Sequence, residues 1–359
     1  MFRRLPHSLV ALAVAAVLAL TSCAPAATPA ATQPPPTATT LPPLAAPSAT
    51  RPLPTALPPT AAPTAALAAT AAQAAATPAS GPIQLTDSLS RTVTLAAPAK
   101  RVITLAPSNT EILYAIGMGS VLAGRDDYSN YPPEVTQVPS IGAESPHVNA
   151  EAIVALHPDL VLAGGINSPD DVTQLAQLGL TVYATSNAGS LDDIYHDIQA
   201  VGALVGASDA ANQLVATMQA RVAAVKNKTT GLTQHPIVFY ELDATDPSKP
   251  WTPGPGSFID QLISMAGGTN AGDIAKDQYA QLSLEQLVAE NPDIIVLGSA
   301  KYGGQTPQLV AARPGWGGLK AVQNHQVYTF DDDLVSRPGP RVVDGLEQLA
   351  KLIHPELFQ

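Results

Sequence analysis

Residues 149 to 164 read NAEAIVALHPDLVLAG, and residues 283 to 298 read SLEQLVAENPDIIVLG. Aligned without gaps they share Glu151/Glu285, Val154/Val288, Ala155/Ala289, Pro158/Pro292, Asp159/Asp293 and Gly164/Gly298, with aliphatic residues matched to aliphatic ones elsewhere. Each copy reads as a capped helix, a Pro-Asp turn and an apolar run of strand length. Helix-turn-strand units occur in any α/β protein, so the weight of this pair depends on what lies between the copies.

Between them Leu191, Ile194, Tyr195, Ile198, Val201, Leu204 and Val205 recur at helical spacing, as do Leu214, Met218, Val222 and Val225. Ser190 and Ser208 are placed as N-caps, and Gly206 and Gly231 as helix stops. A helix over 209–228 would span roughly 30 Å. The expectation is an α/β protein with one lobe over 81–189, a helical bridge over 190–230 and a second lobe over 231–359, leaving a cleft between the lobes.

The chain starts with an address. Arg3 and Arg4 precede an apolar run from Leu9 to Leu20, too short for a comfortable membrane span, and then Leu20-Thr21-Ser22-Cys23. LTSC resembles the lipobox of bacterial lipoproteins, which makes 1–22 a signal peptide and Cys23 the lipidated first residue of the mature chain. Cys23 is the only cysteine, so an intramolecular disulfide is excluded. Residues 24–80 are almost wholly Ala, Pro and Thr, hold 14 of the 35 prolines and carry one charge, Arg51. Few large apolar groups are present there to offset the entropy of folding, so 23–80 reads as a disordered tether.

All 29 acidic residues lie beyond position 80, against 15 of the 18 basic ones, which leaves the globular part at −14. That excess argues against nucleic acid and against adhesion to anionic headgroups, leaving the lipid anchor as the membrane contact.

Along the globular part, Ile83 to Leu95 reads as a hairpin around Asp87-Ser88. Strands are expected over Arg101–Leu105, Val121–Gly124, Leu160–Ala163, Thr181–Thr185, Ile237–Leu242 and Gln326–Phe330. Helices are expected from Glu111, from Ser168 to Gly179, over Phe258–Met265 and from about Arg341 to Leu352. Strands alternating with helices make parallel sheets the default. In the first strand-to-helix turn, Pro107-Ser108-Asn109-Thr110, Ser108 and Glu111 have capping-box spacing. Amides of that turn either receive a ligand beyond the strand ends or are capped by Ser108.

The runs RVITLAPSNTEILYAIG, DYSNYPPE, NAEAIVALHPDLVLA, PGSFIDQLISMAGGTN and RPGPRVVDGLEQLA, in this order over about residues 82 to 354, resemble the periplasmic-binding family that delivers cobalamin, ferric siderophores or haem to ABC importers. The match is nearer to the cobalamin-binding members. The resemblance implies two Rossmann-like lobes, a long rigid interlobe helix, and a ligand in the shallow cleft between the lobes. It implies a monomer that hands a metal chelate to an ABC permease and its ATPase, with no catalytic step and no cofactor besides the cargo. One exposed glutamate per lobe docks on permease arginines in such proteins, and these align with Glu151 and Glu285. A carboxylate in that first turn is also favoured by the helix dipole without any partner, by about 0.3–1 kcal/mol.

For the ligand, Ser108 and Asn109 are candidates from their place in the turn beyond the first strand, and the resemblance points to Tyr128 in DDYSNYPP as the aromatic expected to cover a corrin. Tyr240 and Trp251 are further candidates. Ser145 and Gly164 stand where cobalamin binders often have bulky aromatics, a departure that touches the cargo rather than the family. Arg337 in SRPGPR and Arg125 either face the cleft, to pair with oxygens of a siderophore or haem, or pair with neighbouring aspartates. His147 is either an iron or cobalt ligand or a surface residue. HExxH, GxSxG and Walker A patterns are absent from the sequence. The remaining alternatives are a ferric-siderophore or haem carrier of the same importer class, and a ligand-sensing or structural envelope protein that uses the fold without transport.

Overall fold

The computed structural model describes residues 81–143 and 147–358. The signal segment, Cys23, the tether and Ser145 lie outside the described residues. Among those described, no helix is long and apolar enough to cross a membrane.

The first lobe opens with the hairpin β1 (Ile83–Thr86) and β2 (Thr92–Leu95), antiparallel with Ile83 opposite Leu95. It continues through β3 (Val102–Thr104), α1 (Pro107–Ala115), β4 (Leu122–Arg125), α2 (Ala150–Ala155), β5 (Leu160–Ala163), α3 (Pro169–Gln177) and β6 (Val182–Ala184). These strands form a parallel sheet in the order β4-β3-β5-β6. After α4 (Leu191–Leu204) and α5 (Ser208–Thr229), the second lobe repeats the plan. It contains β7 (Ile237–Glu241), β8 (Trp251–Pro253), α6 (Phe258–Met265), β9 (Thr269–Asn270), β10 (Tyr279–Gln281), α7 (Leu284–Glu290), β11 (Ile294–Leu297) and three short helices, α8 (Ala300–Gly303), α9 (Pro307–Ala311) and α10 (Lys320–Gln323). It closes with β12 (Val327–Thr329), α11 (Asp333–Ser336) and α12 (Val342–Ile353). Its parallel sheet has the order β12-β11-β7-β9, and β8 and β10 form an antiparallel ribbon.

Both faces of each parallel sheet are covered by other elements, which is why Leu-Val-Leu-Ala of β5 and Ile-Ile-Val-Leu of β11 are buried at every position. The repeat extends to the backbone. His157 and Asn291, equivalent residues, both take a left-handed conformation at φ 45° and 44°, which turns the chain from helix to strand. The aspartates that follow do the same job in each lobe. Asp159 accepts the amides of Lys100 and Arg101 at 2.8 and 2.9 Å, just before β3, and Asp293 accepts the Ile237 amide at 2.8 Å at the start of β7.

The expected bridge divides in two. Helix α4 packs on α1 and β1 of the first lobe, whereas α5 lies against α4 on one side and α6 and α12 on the other. The α5 stripe Ala211, Val215, Met218, Val222, Val225 and Thr229 is buried at alternating steps of four and three, and Arg221 binds Asp344 and Glu347 of α12 at 2.6 and 2.7 Å. At 22 residues, α5 is about 33 Å long. Gly206 stops α4 at φ +74°, as expected, and Ser190 caps it by accepting the Asp193 amide. Ser208 does not cap α5: Ala207 holds that position, and Ser208 is already helical.

Candidate ligand cleft

In open parallel sheets ligands gather beyond the carboxyl ends of the strands. Here Ala106 and Ser108 follow β3, Gly165 and Ile166 follow β5, and Ser186 and Asn187 follow β6. With Tyr128 from the loop after β4, these residues wall a cavity of about 210 Å³. The second lobe closes it with Ser336, Arg337 and Pro338. Typical small-molecule pockets hold about 300–1,000 Å³, so a large flat ligand sits in the mouth of this cleft or requires the lobes to part. A hollow of about 360 Å³ lies in the seam of α4, α5 and α6, among Tyr195, Val222, Lys226 and Met265. No strand end lines it, and the cleft is the better candidate.

The lobes are tied at the cleft by one buried carboxylate. Glu111 of α1 accepts Arg341 Nε and Nη2 at 2.8 and 2.6 Å, and Arg337 Nη1 approaches it at 3.4 Å. Arg337 also donates to Asn130 Oδ1 at 2.8 Å, pairs with Asp333 at 3.0 Å and donates to the Tyr302 hydroxyl at 3.3 Å. Arg341 stacks on Tyr131, its guanidinium 4.0 Å from the ring centroid. Burial works against the Arg341 charge, but Glu111 outweighs it and pushes the pKa up. Lys301 binds Asp331 and Asp333 at 2.9 and 2.6 Å, so each of these cations is already matched by carboxylates.

The second lobe also exposes the aromatic residues Trp251 and Tyr279. Trp251 and Tyr279 lie on one face of the β8–β10 ribbon, since Trp251 pairs with Gln281 and Pro253 with Tyr279. Burial, and then the negative charge of Asp332, raises the Tyr279 pKa.

Residues 102–334 match the model of the periplasmic binding protein family. An ABC transporter substrate-binding lipoprotein, YvrC, of Bacillus subtilis is 35% identical over 285 residues, covering 77% of this chain and 87% of that one. The chain belongs to this family. Its members are solute-binding components of transport systems and not enzymes. A cobalamin-binding protein of Halobacterium salinarum is 30% identical over 281 residues, covering 77% of this chain and 75% of its own. The haem-binding protein RhuT of Roseiflexus superposes with a TM-score of 0.65 at 28% identity, covering 73% of this chain and all of that one.

Within that family frame, the residues singled out from sequence fall into three groups. Ser108, Tyr128 and Arg337 line the cavity, and Tyr128 is 57% exposed. Trp251 is outside the cavity wall, 41% exposed on the ribbon. Tyr240, Asn109 and Gly164 are not available to a ligand. Tyr240 is fully buried against Phe330 and donates its hydroxyl to Asp332 at 2.7 Å. Asn109 is spent inside the lobe, donating to the Ala163 carbonyl at 3.0 Å and accepting from Thr185 at 3.2 Å. A Cβ at Gly164 would come within 2.5 Å of the Ala106 Cβ, and one at its counterpart Gly298 within 2.6 Å of the Tyr240 ring. Glycine therefore serves close packing at both strand ends, and the neighbour Gly165 reaches the cavity.

The capping box also gives way. Pro107 lacks an amide hydrogen and fits the first helical position, so α1 starts from Ala106, Ser108 sits inside the helix, and Glu111 turns to the arginines. Arg125 donates to the carbonyls of Val135 and Asp126, away from the cavity, and His147 pairs with Asp171 at the surface. Glu151 and Glu285 are both exposed in first turns capped by Asn149 and Ser283. The Glu285 pKa is lowered by its own amide and by the Ser283 hydroxyl.

Sequence reasoning passed over Glu111, Arg341, Tyr279 and Tyr302 as site residues. Tyr302 stands exposed on α8 with its hydroxyl on Asp333. Short exposed helices and two-strand ribbons carry little periodicity; Tyr302 is flagged only as an aromatic residue beside Gly303-Gly304, and Tyr279 stands among polar residues that give no such signal.

Proposed function

We propose that this chain is the substrate-binding lipoprotein of an ABC importer, anchored outside the cytoplasmic membrane through Cys23, and that its cargo is a corrinoid of the cobalamin class. The observation that carries the choice of cargo is the pairing state of the cleft cations. Arg337, Arg341 and Lys301 are engaged by Glu111, Asp331 and Asp333, so the described wall meets a ligand mainly with Tyr128, Ile166, the Asn187 amide and the hydroxyls of Ser108 and Ser186. A corrin periphery rich in neutral amides suits such a surface. Haem propionates and carboxylate siderophores would have to displace an existing ion pair, at a desolvation cost. The cobalamin-binding relative supports the same reading. The protein acts as a monomer that presents the loaded cleft to the permease, with Glu151 and Glu285 as docking carboxylates, and the ATPase of the importer drives release.

A second reading, haem, is favoured by Tyr128, a phenol exposed in the cavity of the kind that can ligate haem iron, and by the likeness to a haem-binding protein. Calorimetric titration of the soluble chain with cyanocobalamin, haemin and a ferric hydroxamate separates the readings. The corrinoid proposal expects saturable cobalamin binding of about −8 kcal/mol or stronger with the other two silent. Haemin binding with a tyrosinate–iron absorption band, and no heat from cobalamin, would replace the cargo.

A further inference from the structure

Tyr128 stands exposed in the cavity wall, and among the described residues its side chain makes no hydrogen bond, ring contact or cation contact. The place of the ring is therefore set by its own backbone, and that backbone hangs on Asp126. Asp126 Oδ1 accepts the Tyr128 and Ser129 amides at 2.8 and 3.0 Å, and Oδ2 accepts the Ser129 hydroxyl at 2.5 Å. Turns closed by an aspartate in this way are common. In the second lobe Asp243 and Asp246 close theirs at Thr245 and Ser248, but both are exposed and their side chains bond only within their own turns. Asp126 is 1% exposed, a costly place for a carboxylate that only has to close a turn. Its network continues from Ser129 to Thr110 of α1 at 2.8 Å and on to Thr104 of β3 at 2.5 Å. An ionised carboxylate only accepts, so Ser129 donates to it, Thr110 to Ser129 and Thr104 to Thr110. Arg125, next in sequence, donates to the carbonyls of Val135 and Asp126 and not to the carboxylate. The one-way chain of hydroxyls thus fixes the Tyr128 turn to the helix that supplies Pro107 and Ser108 to the same cavity.

We infer that Asp126 is a positioning residue of the cargo site: it does not line the cavity, and it holds the Tyr128 ring at the cavity wall by locking its turn to α1 and β3. The inference rests on the reading of Tyr128 as a cargo contact. A ring set in advance needs no ordering when cargo arrives, so the brace raises affinity without touching the ligand.

Calorimetric titration of the full chain with cyanocobalamin, run as a double-mutant cycle, tests this. Tyr128→Ala is expected to weaken binding about fivefold, and Asp126→Ala about fivefold. With both substitutions the loss should stay within about twofold of that for Tyr128→Ala alone, because Asp126 acts only through the ring. Asp126→Asn keeps an oxygen for the two amides and should bind within about threefold of the parent. If Asp126→Ala does not fold, Ser129→Ala, which cuts the link to Thr110, takes its place in the cycle with the same expectation. Three results overturn the positioning role while the cargo reading stands: losses that multiply to about 25-fold in the double variant, Asp126→Asn as weak as Asp126→Ala, or Tyr128→Ala binding as the parent does. A parent that gives no heat with cyanocobalamin overturns the cargo reading instead, and the same cycle is then read with haemin.

Discussion

The equivalent strands β3 and β7, each paired to the strand of the repeat, end in different chemistry. Beyond β3, Thr104 joins a chain of hydroxyls, 2.5 Å to Thr110 and 2.8 Å on to Ser129, whose hydroxyl donates to the buried Asp126 at 2.5 Å. Beyond β7, fully buried Glu241 binds Arg313 at 2.5 and 3.0 Å and accepts the Ser299 hydroxyl at 2.6 Å, with the guanidinium stacked on Trp316. One lobe supports its rim with a chain of hydroxyls that ends on a carboxylate and the other with an ion pair. The same division reaches the cleft: the first lobe contributes hydroxyls, amides and Tyr128, and the second contributes Arg337, paired with Asp333, beside Ser336 and Pro338. Shared sequence builds the frame, and the unshared loops supply the chemistry.

Breaking each support gives the sharpest contrast. Glu241→Ala strands a buried guanidinium and should cost about 3–5 kcal/mol, whereas Thr110→Val leaves two neutral hydroxyls short of a partner and should cost about 1–3 kcal/mol; urea unfolding of both variants measures the gap. Equal losses would remove the distinction between the lobes.

Glu111→Gln tests the tie across the cleft. With two arginines deprived of their shared counter-charge, the loss is about 1–3 kcal/mol, and amide hydrogen exchange should rise in the rim segments around α1 and 336–341. A ligand-side comparison sets Tyr128→Ala against Tyr240→Phe. The first should weaken cargo binding by about 1 kcal/mol or more, as loss of an aromatic contact does. The second should leave affinity unchanged and lower stability by about 1 kcal/mol, because Tyr240 holds Asp332 from within the core.

The smallest effect is a pair of opposed pH dependences. Burial raises the Asp126 pKa despite its hydrogen bonds from Ser129 and Tyr128. The folded state therefore keeps the proton that the unfolded chain loses near pH 3.9, and this contribution to stability is present at lower pH and declines as pH rises through the folded pKa. Burial also works to raise Asp293, but Lys320 and the Ile237 amide outweigh it and lower the pKa. Its contribution is present above about pH 4 and is lost as pH falls. Stability measured from pH 3 to 7 for Asp126→Asn and Asp293→Asn should deviate from the parent with opposite slopes.

The frame was legible because buried strands and capped helices leave strong periodic signals. β5 and the helix Phe258–Met265 lie where the apolar runs place them, and the Pro-Asp turns recur with the same hydrogen bonds. The cleft was less legible. Tyr128 and Arg337 stand out in sequence and line the cavity, but Tyr240 looks equally suited and is core, since the direction of a side chain at a strand end depends on sheet packing. Glu111 was hidden by a capping-box spacing, and its partners lie more than 220 residues away.

The central claim is that the interlobe cleft holds a corrinoid. A crystal structure of the chain grown with cyanocobalamin tests it directly. The account predicts the corrin between the lobes, its face on Tyr128 and its amides near Asn187 and Ser108, with Glu111 still bound to Arg341. Cobalamin lodged in the seam of α4, α5 and α6, or an unliganded cleft at saturating cobalamin, would contradict it.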